Sequence, residues 1–152
     1  MDKITKEQRS ALMAHVKGKN TKPELKLRKY LWNQGLRSFR VKNSIFGKPD
    51  IFLPKYGFAI FVDGCFWHRC PKCKGNGNPE TNSRYWQNKF RDNKERDIRV
   101  NEALKGQGIG VYRIWEHEIK GDIRKCFIKL IIALYAHKLN RAFRKNVLTI
   151  FK

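Results

Sequence analysis

The sequence predicts one α/β domain in which helices flank a central mixed sheet. Two observations support this fold class. Segments with the apolar period of helices alternate with short apolar runs typical of strands, in the order helix, helix, about three strands, helix, strand, helix. The length of 152 residues fits a single domain, and a hydrophobic fraction of 41% beside 31% charged residues is typical of a folded chain.

Two capping boxes predict two N-terminal helices. A Thr-x-x-Gln pattern opens the first, over residues 5–16, and a Thr-x-x-Glu pattern opens the second, over residues 21–35. Pro23 lies in the first turn of the second helix, where no intrahelical amide is lost. Glu24 lies in the same turn, and its simplest interpretation is a carboxylate that caps the positive end of the helix.

The middle of the chain predicts three strands and their turns. Residues 39–41 alternate apolar and basic side chains, which indicates a half-exposed strand, and residues 43–47 form a turn. Residues 50–53 predict a short strand. The continuous apolar run at 58–62 predicts a strand that is covered on both faces. Residues 74–82 are rich in Gly and Asn and predict an irregular loop.

The C-terminal part predicts a long helix, a strand and a last helix. The long helix covers residues 83–105 and ends at Gly106. It carries one row of side chains at helical spacing: Trp86, Phe90, Asn93 and Asp97. Residues 109–115 predict a strand, with Glu116, His117 and Glu118 at its C-terminal edge. The last helix begins at Asp122. Its apolar stripe, which fits a core face, comprises Ile123, Phe127, Leu130, Ile131 and Leu134.

The charge is strongly unbalanced and indicates a polyanionic partner. Lys and Arg total 34 against 13 Asp and Glu, which gives a net charge of +21 and a pI of about 10.2. A small domain normally carries a net charge of magnitude roughly 2–8. An aromatic content of 12% favours nucleic acid over adsorption to a membrane. The N-terminal residues do not resemble a signal peptide, so we expect a reducing, cytoplasmic setting.

Three cysteines predict a metal site rather than disulfides. They lie on one predicted loop, with four and two residues between them: Cys65, Cys70 and Cys73. A structural zinc ion takes four such ligands in a tetrahedron. Spacing leaves His117, Cys126 and His68 as candidates for the fourth ligand. We favour His117 because a side chain at a strand end can reach a neighbouring loop, whereas a lone helical cysteine is most often a core residue.

Two aspartates and a histidine predict a site for phosphoryl chemistry. Asp50 and Asp63 flank the predicted buried strand, and a hairpin would bring their carboxylates together. Paired carboxylates of this kind hold hard cations such as magnesium. His68 could accept a proton from an attacking water. The simpler alternative is that both aspartates cap turns.

Adjacent aromatic residues follow the second aspartate. Phe66 and Trp67 lie between Cys65 and His68, and Trp86 begins the next predicted helix. In a basic protein, exposed aromatic side chains can stack on bases or wedge between them. The alternative is a small aromatic core that covers the zinc loop.

Several segments of the chain together form a recognisable pattern. The most specific is the Gly-Cys-Phe-Trp-His run within residues 61–68. The other positions of the pattern are Met13, Glu24, residues 47–50, Tyr85, Trp86, Lys89, Asn93 and residues 95–97. This pattern resembles the very-short-patch repair (Vsr-type) endonucleases, and the resemblance covers nearly the whole chain. The resemblance implies a restriction-endonuclease-like fold and a magnesium-dependent enzyme. Such an enzyme nicks DNA 5′ to the thymine of a T–G mismatch that arises when 5-methylcytosine is deaminated.

The resemblance also implies a role for each matching catalytic residue. Asp50 would ligate magnesium together with the backbone carbonyl of Val62. His68 would be the general base or would orient the water, and Glu24 would support it. Some family members carry histidine where this chain has Asp63. That departure leaves a direct or a water-mediated role toward magnesium open for Asp63.

The implied DNA contacts and zinc ligands are spread along the chain. Phe66, Trp67 and Trp86 would intercalate at the mismatch from the major groove, with Met13 opposite them in the minor groove. The residues implied to contact the DNA near the mismatch are Lys89 and Asn93. The residues implied to hold the structural zinc are Cys65, Cys70, Cys73 and His117. The zinc ligands vary within the family: one member has histidine and cysteine at the positions of Cys70 and Cys73, and cysteine at the position of His117. The resemblance therefore defines the fourth ligand least well.

The resemblance predicts a single Vsr-like domain over residues 1–152, with an N-terminal DNA-contacting helix at 1–20 and a catalytic core at 21–152. Its predicted substrate is double-stranded DNA with a T–G mismatch, and its predicted cofactors are Mg²⁺ and Zn²⁺. We expect a monomer, with mismatch-repair proteins as candidate partners. Two other functions compete with this one: a sequence- or structure-specific nuclease on the same scaffold, and a non-catalytic, zinc-stabilised DNA-binding protein.

Overall fold

The computed structural model describes residues 18–73, 79 and 82–150, without the side chains of residues 144–150. Its elements are α1 (Lys22–Asn33), β1 (Ile51–Leu53), β2 (Phe58–Asp63), α2 (Ser83–Gly106), β3 (Gly110–Trp115), α3 (Glu116–Gly121) and α4 (Ile123–Ile150). The predicted α/β class is confirmed. Met13, the helix predicted at 5–16 and most of the loop predicted at 74–82 lie outside the described residues.

The three strands form a mixed sheet in the order β1-β2-β3. β1 and β2 pair antiparallel, with Ile51 opposite Ile60, and β2 and β3 pair in parallel. The strand predicted at 39–41 is wrong, because only a single antiparallel bridge joins Arg40 to Phe52. The pairing stops after this bridge because the chain turns: the side-chain amide nitrogen of Asn43 donates to the carbonyl of Val41 at 3.3 Å.

The two faces of the sheet pack against different helices. One face meets α1 and α4, and its core includes the following buried side chains: Leu27, Leu31, Ile51, Phe58, Ile60, Ile114, Leu130 and Leu134. The other face meets α2, and its smaller core comprises Ala59, Phe61, Val100 and Leu104. Because β2 is covered on both sides, the predicted doubly buried strand is confirmed.

A short helix that the sequence did not predict follows the last strand. α3 begins at Glu116, directly after β3, and Glu118 accepts a hydrogen bond from the backbone nitrogen of Trp115 at 3.2 Å. The predicted strand-edge segment is therefore helical, with His117 in its first turn. α4 begins one residue after the predicted Asp122, whose Oδ1 accepts from the Lys125 nitrogen at 3.0 Å.

None of the helices in the described part of the chain has both the length and the apolarity needed to cross a membrane.

The turn before β1 depends on a glycine. Gly47 has φ +77°, a conformation that L side chains rarely adopt, and a Cβ placed on it would lie 2.3 Å from Cγ1 of Val100 on α2. This close approach holds the turn against α2. Since Asp50 follows three residues later, directly before β1, the contact between Gly47 and Val100 also helps to position the carboxylate of Asp50.

We expect Gly47→Ala to lower the free energy of unfolding by about 2–4 kcal/mol, combining roughly 1–2 kcal/mol of left-handed strain with the overpacking of Val100. Gly35→Ala is the matched control for strain alone, because Gly35 has φ +85° and open space around the position that a Cβ would take. Gly106→Ala should be neutral or stabilising. Urea titrations of the three variants measure the difference, and equal effects of the first two would contradict the packing contribution.

Candidate active site

Asp50 lies at the end of the β1–β2 hairpin, where strand pairing stops. Its Oδ2 accepts a hydrogen bond from the backbone nitrogen of Val62 at 2.7 Å, and its backbone oxygen accepts from Nη2 of Arg28 at 3.2 Å. Burial, with a smaller contribution from the charges of Glu24 and Asp63, raises the pKa of Asp50 to about 6, against the opposing Val62 hydrogen bond and Arg28 charge. The carboxylate is therefore largely buried and has two other carboxylates near it.

Glu24 has the contacts of a capping residue. Its Oε2 accepts from the backbone nitrogen of Asn20 and pairs with Arg28, both at 2.9 Å, and its Oε1 accepts from the hydroxyl of Thr21 at 2.8 Å. The structure thus supports the simplest interpretation of this residue. Through Arg28, which also donates to the backbone oxygen of Asp50, Glu24 connects α1 to the start of β1. His68 is not among these partners of Glu24, so the predicted support of His68 by Glu24 stays a prediction.

Asp63 points to the α2 face of the sheet, as the alternation along β2 requires. Its Oδ1 accepts from Nη1 of Arg113 on β3 at 2.6 Å. Nη2 of the same guanidinium donates to Oδ1 of Asp97 on α2 at 2.9 Å. Burial raises the pKa of Asp63, and the Arg113 charge opposes that shift. The carboxylate of Asp63 is therefore already engaged by a protein cation.

His68 is oriented by Asp97. Its Nδ1 lies 2.5 Å from Oδ2 of Asp97, and 3.9 Å from Oδ1 of Asp63. Burial alone would raise the pKa of Asp97, but the hydrogen bond to His68 and the charges of His68 and Arg113 lower it. An ionised Asp97 favours the tautomer with its proton on Nδ1, which leaves Nε2 as the proton acceptor of a neutral imidazole.

A cleft of about 1030 Å³ opens over these groups. Its lining includes nine of the predicted site residues: Glu24, Asp50, Val62, Asp63, Phe66, Trp67, His68, Lys89 and Asn93. Carboxylate and carbonyl oxygens are the ligands that magnesium prefers. A divalent cation beside Asp50 would stabilise the ionised carboxylate, which burial and the charges of Glu24 and Asp63 disfavour, so the donor set fits such an ion.

The aromatic residues after Asp63 pack against one another and against α2. Ring centroids lie 5.2 Å apart for Phe66 and Trp67, 5.3 Å for Phe66 and Trp86, and 5.9 Å for Trp67 and Trp86. Phe66 and Trp67 are half-buried, whereas Trp86 is only 8% exposed and stacks on Phe90. In this arrangement the three rings form the small aromatic core that was the alternative prediction. Trp86 could reach DNA only if the cluster opened.

Two further predicted DNA contacts lie on α2 but differ in exposure. Lys89 is exposed and lines the cleft. Asn93 is 7% exposed, and its amide nitrogen donates to the backbone carbonyl of Trp67 at 2.9 Å. This hydrogen bond ties the aromatic segment to α2. A contact between Asn93 and DNA stays a prediction.

Three thiols and one imidazole form a cluster beside the aromatic segment. Nδ1 of His117 lies 3.2, 3.6 and 3.4 Å from the sulfur atoms of Cys65, Cys70 and Cys73. A tetrahedral zinc ion with ordinary bond lengths separates sulfur and nitrogen ligands by about 3.5 Å. The four side chains could therefore hold a zinc ion without rearrangement. The structure brings His117 to the thiols, while Cys126 of α4 is buried in the core that the sheet forms with α1 and α4.

The neighbours of the cluster fix its geometry. Glu116 accepts a hydrogen bond from the backbone nitrogen of Cys65 at 3.0 Å, so α3 is joined to the thiol loop beside His117. Burial raises the pKa of the Cys65 thiol to about 12. A bound cation would therefore have to stabilise its thiolate form. Such contacts around the ligands orient them and tune the affinity of a metal site.

Three residues of this site were missed by sequence reasoning. Arg28 carries an ordinary i, i+4 pairing with Glu24, so its contact with Asp50 was not visible. Asp97 appeared only in a helical row and among the residues that carry the family resemblance. Arg113 lies in a predicted strand between apolar residues. A basic side chain in such a strand needs a buried acidic partner, and this signal could have identified Arg113.

Comparisons with known proteins show which family the chain resembles. The family model described as DNA mismatch endonuclease Vsr matches residues 1–74. The type II nicking enzyme V.HpaIIP of Haemophilus parainfluenzae is 40% identical over 136 residues, which are 89% of this chain and 96% of that protein. The type II nicking enzyme V.NmeDIP of Neisseria meningitidis serogroup C is 40% identical over 130 residues, covering 86% and 88%.

A third relative carries the family name itself. The DNA mismatch endonuclease Vsr of Escherichia coli strain K12 is 36% identical over 121 residues, which are 79% of this chain and 74% of that protein. Identity at this level over most of both chains requires a common fold, which in this family is restriction-endonuclease-like. The protein described above therefore belongs to the Vsr family of DNA endonucleases.

Proposed function

We propose that this endonuclease nicks one strand of double-stranded DNA 5′ to the thymine of a T–G mismatch and so starts very-short-patch repair. The observation that carries the proposal is the placement of the His68–Asp97 pair beside Asp50 in one cleft of a strongly basic chain. The name of the Escherichia coli relative supports mismatched DNA as the substrate. The names of the other relatives support cleavage of a single strand.

In the proposed reaction Asp50 and the backbone carbonyl of Val62 would hold magnesium. When bound there, the ion would neutralise charge on the scissile phosphate and acidify a water. Nε2 of His68 accepts a proton from the attacking water, and Asp97 holds the imidazole in the tautomer that makes this transfer feasible. In the in-line displacement, the water oxygen bonds to phosphorus as the bond from phosphorus to the leaving sugar oxygen breaks, and that oxygen takes up a proton from solvent.

Mismatch recognition falls to the aromatic cluster. Phe66 and Trp67 are partly exposed beside the cleft, so their rings could enter the base stack where a T–G pair weakens it. Trp86 would join them after the cluster opens, and Met13 would contact the minor groove. Lys89 lies where it could contact a phosphate. The same proposal assigns residues 1–20 to DNA contact and residues 21–152 to the catalytic core, and it takes the active form to be a monomer.

A nicking assay on matched duplexes tests this function. The same sequence is prepared with one T–G pair and with T–A in its place, and each duplex is incubated with Mg²⁺ or with EDTA. We expect a nick 5′ to the mismatched thymine only with T–G and Mg²⁺. Equal cleavage of both duplexes would instead support a sequence-specific nuclease, and binding without any cleavage would support a DNA-binding protein.

The second candidate function is nicking at a specific DNA sequence. Several relatives are called type II nicking enzymes, and that name does not mention a mismatch. A pool of T–G duplexes with randomised flanking bases distinguishes the two functions. Cleavage confined to one flanking sequence, with T–A duplexes cut equally well, would overturn the mismatch proposal.

A further inference from the structure

Arg113 joins two carboxylates that come from different elements. Nη1 donates to Asp63 at the end of β2, and Nη2 donates to Asp97 on α2, at 2.6 and 2.9 Å. Nε donates to Oδ1 of Asn101 at 3.2 Å, and the guanidinium lies 4.7 Å from the ring centroid of Phe61. All three guanidinium nitrogens are thus engaged, so the group is held in one plane and one position.

This bridge determines which carboxylate forms the hydrogen bond with Nδ1 of His68. Nδ1 of His68 lies 2.5 Å from Asp97 but 3.9 Å from Oδ1 of Asp63, so both carboxylates are within reach. Oδ1 is the oxygen of Asp63 that Arg113 engages. Arg113 therefore draws Asp63 away from the imidazole. It also fixes Oδ1 of Asp97, so that the other oxygen of that carboxylate faces His68.

The same contacts bear on whether Asp63 binds magnesium directly. Asp63 is 5% exposed and forms an ion pair at 2.6 Å with Arg113. To ligate a second cation through that oxygen, Asp63 would have to exchange the half-buried guanidinium of Arg113 for the metal. Asp50 has no such partner cation on its carboxylate among the described residues, and its Oδ2 takes the neutral amide of Val62.

We propose that Arg113 is a positioning residue for His68 and that Asp63 is the counter-ion of Arg113 rather than a direct magnesium ligand. The catalytic part of this inference rests on the proposed nicking reaction, whereas the ligand part concerns the protein alone. A bidentate bridge between two carboxylates requires the planar fork of arginine, because a lysine ammonium acts as a point charge.

Two substitutions test the bridge. Arg113→Gln should lower kcat for the T–G duplex by about 10–100-fold, the usual range for a group that orients a catalytic residue, with KM for DNA nearly unchanged. Arg113→Lys should recover only part of the loss. Arg91→Gln is the matched control, since Arg91 is an exposed arginine on α2 that pairs with Glu95. Full activity of Arg113→Gln or Arg113→Lys would overturn the positioning role.

A double variant separates the counter-ion from a metal ligand. Without Arg113, the buried carboxylate of Asp63 repels Asp97 and competes for His68. Adding Asp63→Asn to Arg113→Gln should therefore raise kcat above that of Arg113→Gln alone. If Asp63 were a magnesium ligand, the double variant would be slower than either single variant, and the proposal would be overturned.

Two measurements do not depend on nicking. Calorimetric titration of Mg²⁺ into the zinc-loaded protein should show weaker binding for Asp50→Asn but near-normal binding for Asp63→Asn, and equal weakening of both would overturn the counter-ion role. Nitrogen-15 spectra should report the Nδ1–H tautomer of His68 in the wild type and its loss in Arg113→Gln. An unchanged spectrum would also count against the proposal.

These readouts keep the two proposals apart. If the wild type fails to distinguish T–G from T–A, the proposed function fails, while the titration and the spectra still decide the roles of Arg113 and Asp63. Zinc content and thermal melting of every variant establish that it is folded. Should Arg113→Gln not fold, the Asp63→Asn titration and the Arg113→Lys kinetics decide the question.

Discussion

Asp50→Asn is expected to abolish nicking of a T–G duplex and to leave DNA binding as tight as in the wild type, or tighter. The asparagine keeps the shape of the side chain, and its amide oxygen can still accept from the Val62 nitrogen. It lacks the negative charge that a magnesium ligand supplies. Losing several kcal/mol of charge stabilisation corresponds to a rate decrease of roughly 10³-fold.

Single-turnover nicking and fluorescence anisotropy of the same duplex measure the two effects separately. Binding should not weaken, because the substitution removes a negative charge from a cleft that receives phosphates. Asp92→Asn is the control, since Asp92 is an exposed carboxylate on α2 beside Arg91. Nicking at the wild-type rate by Asp50→Asn would refute the magnesium role of this residue. A parallel loss of binding would point to a folding defect instead.

Cys73→Ser is expected to remove the zinc ion and to destabilise the loop that carries His68, the proposed proton acceptor. The zinc ion would tie the loop of Cys65, Cys70 and Cys73 to His117 on α3. A structural zinc site contributes directly to folding free energy, because the unfolded chain does not hold the ion. Since His68 lies within that loop, we also expect nicking to fall steeply.

Metal analysis and thermal melting check this prediction. The wild type should contain about one zinc ion per chain, as a closed four-ligand site does, and a chelator should lower its melting temperature. Cys73→Ser should contain almost none and should melt at the same temperature with or without chelator. Cys126→Ala is the control for losing a thiol outside the cluster, and it should retain zinc. Full zinc content in Cys73→Ser would contradict the ligand set.

The local parts of the fold could be read from the sequence because short-range physics sets them. The apolar run of β2, the long helix α2 and the Asp50–Asp63 hairpin follow from periodicity and turn residues close to them in the chain. The short helix α3 was missed because six residues are too few for a periodic signal. The strand at 39–41 was wrong because alternation alone cannot say whether a partner strand continues.

For the site as well, local features could be predicted and distant contacts could not. Spacing identified the thiol loop and the group of Asp50, Asp63 and His68, and the family resemblance assigned a role to each residue. The partners of those residues come from distant positions in the chain. Arg113 reaches Asp63 across 50 positions and Asp97 across 16. No local pattern encodes such a contact, because parallel pairing of β2 with β3 and packing on α2 create it.

The aromatic cluster shows a further limit. The sequence predicted that Phe66, Trp67 and Trp86 either contact DNA or form a small core, and composition could not decide between them. Packing on α2 buries Trp86 among the other rings, because burying aromatic surface is favourable when no DNA is present. The same rings could be released toward a weakened base pair.

The segment from Phe61 to Cys73 is where the two kinds of information meet. By itself the sequence determined which reactive groups this segment carries, since the identities and spacings of Asp63, His68 and the three cysteines are local properties. Only the tertiary structure decided what each group contacts. Asp63 meets Arg113, His68 meets Asp97, and the thiols meet His117, because strand register and helix packing bring together residues that are far apart in the chain.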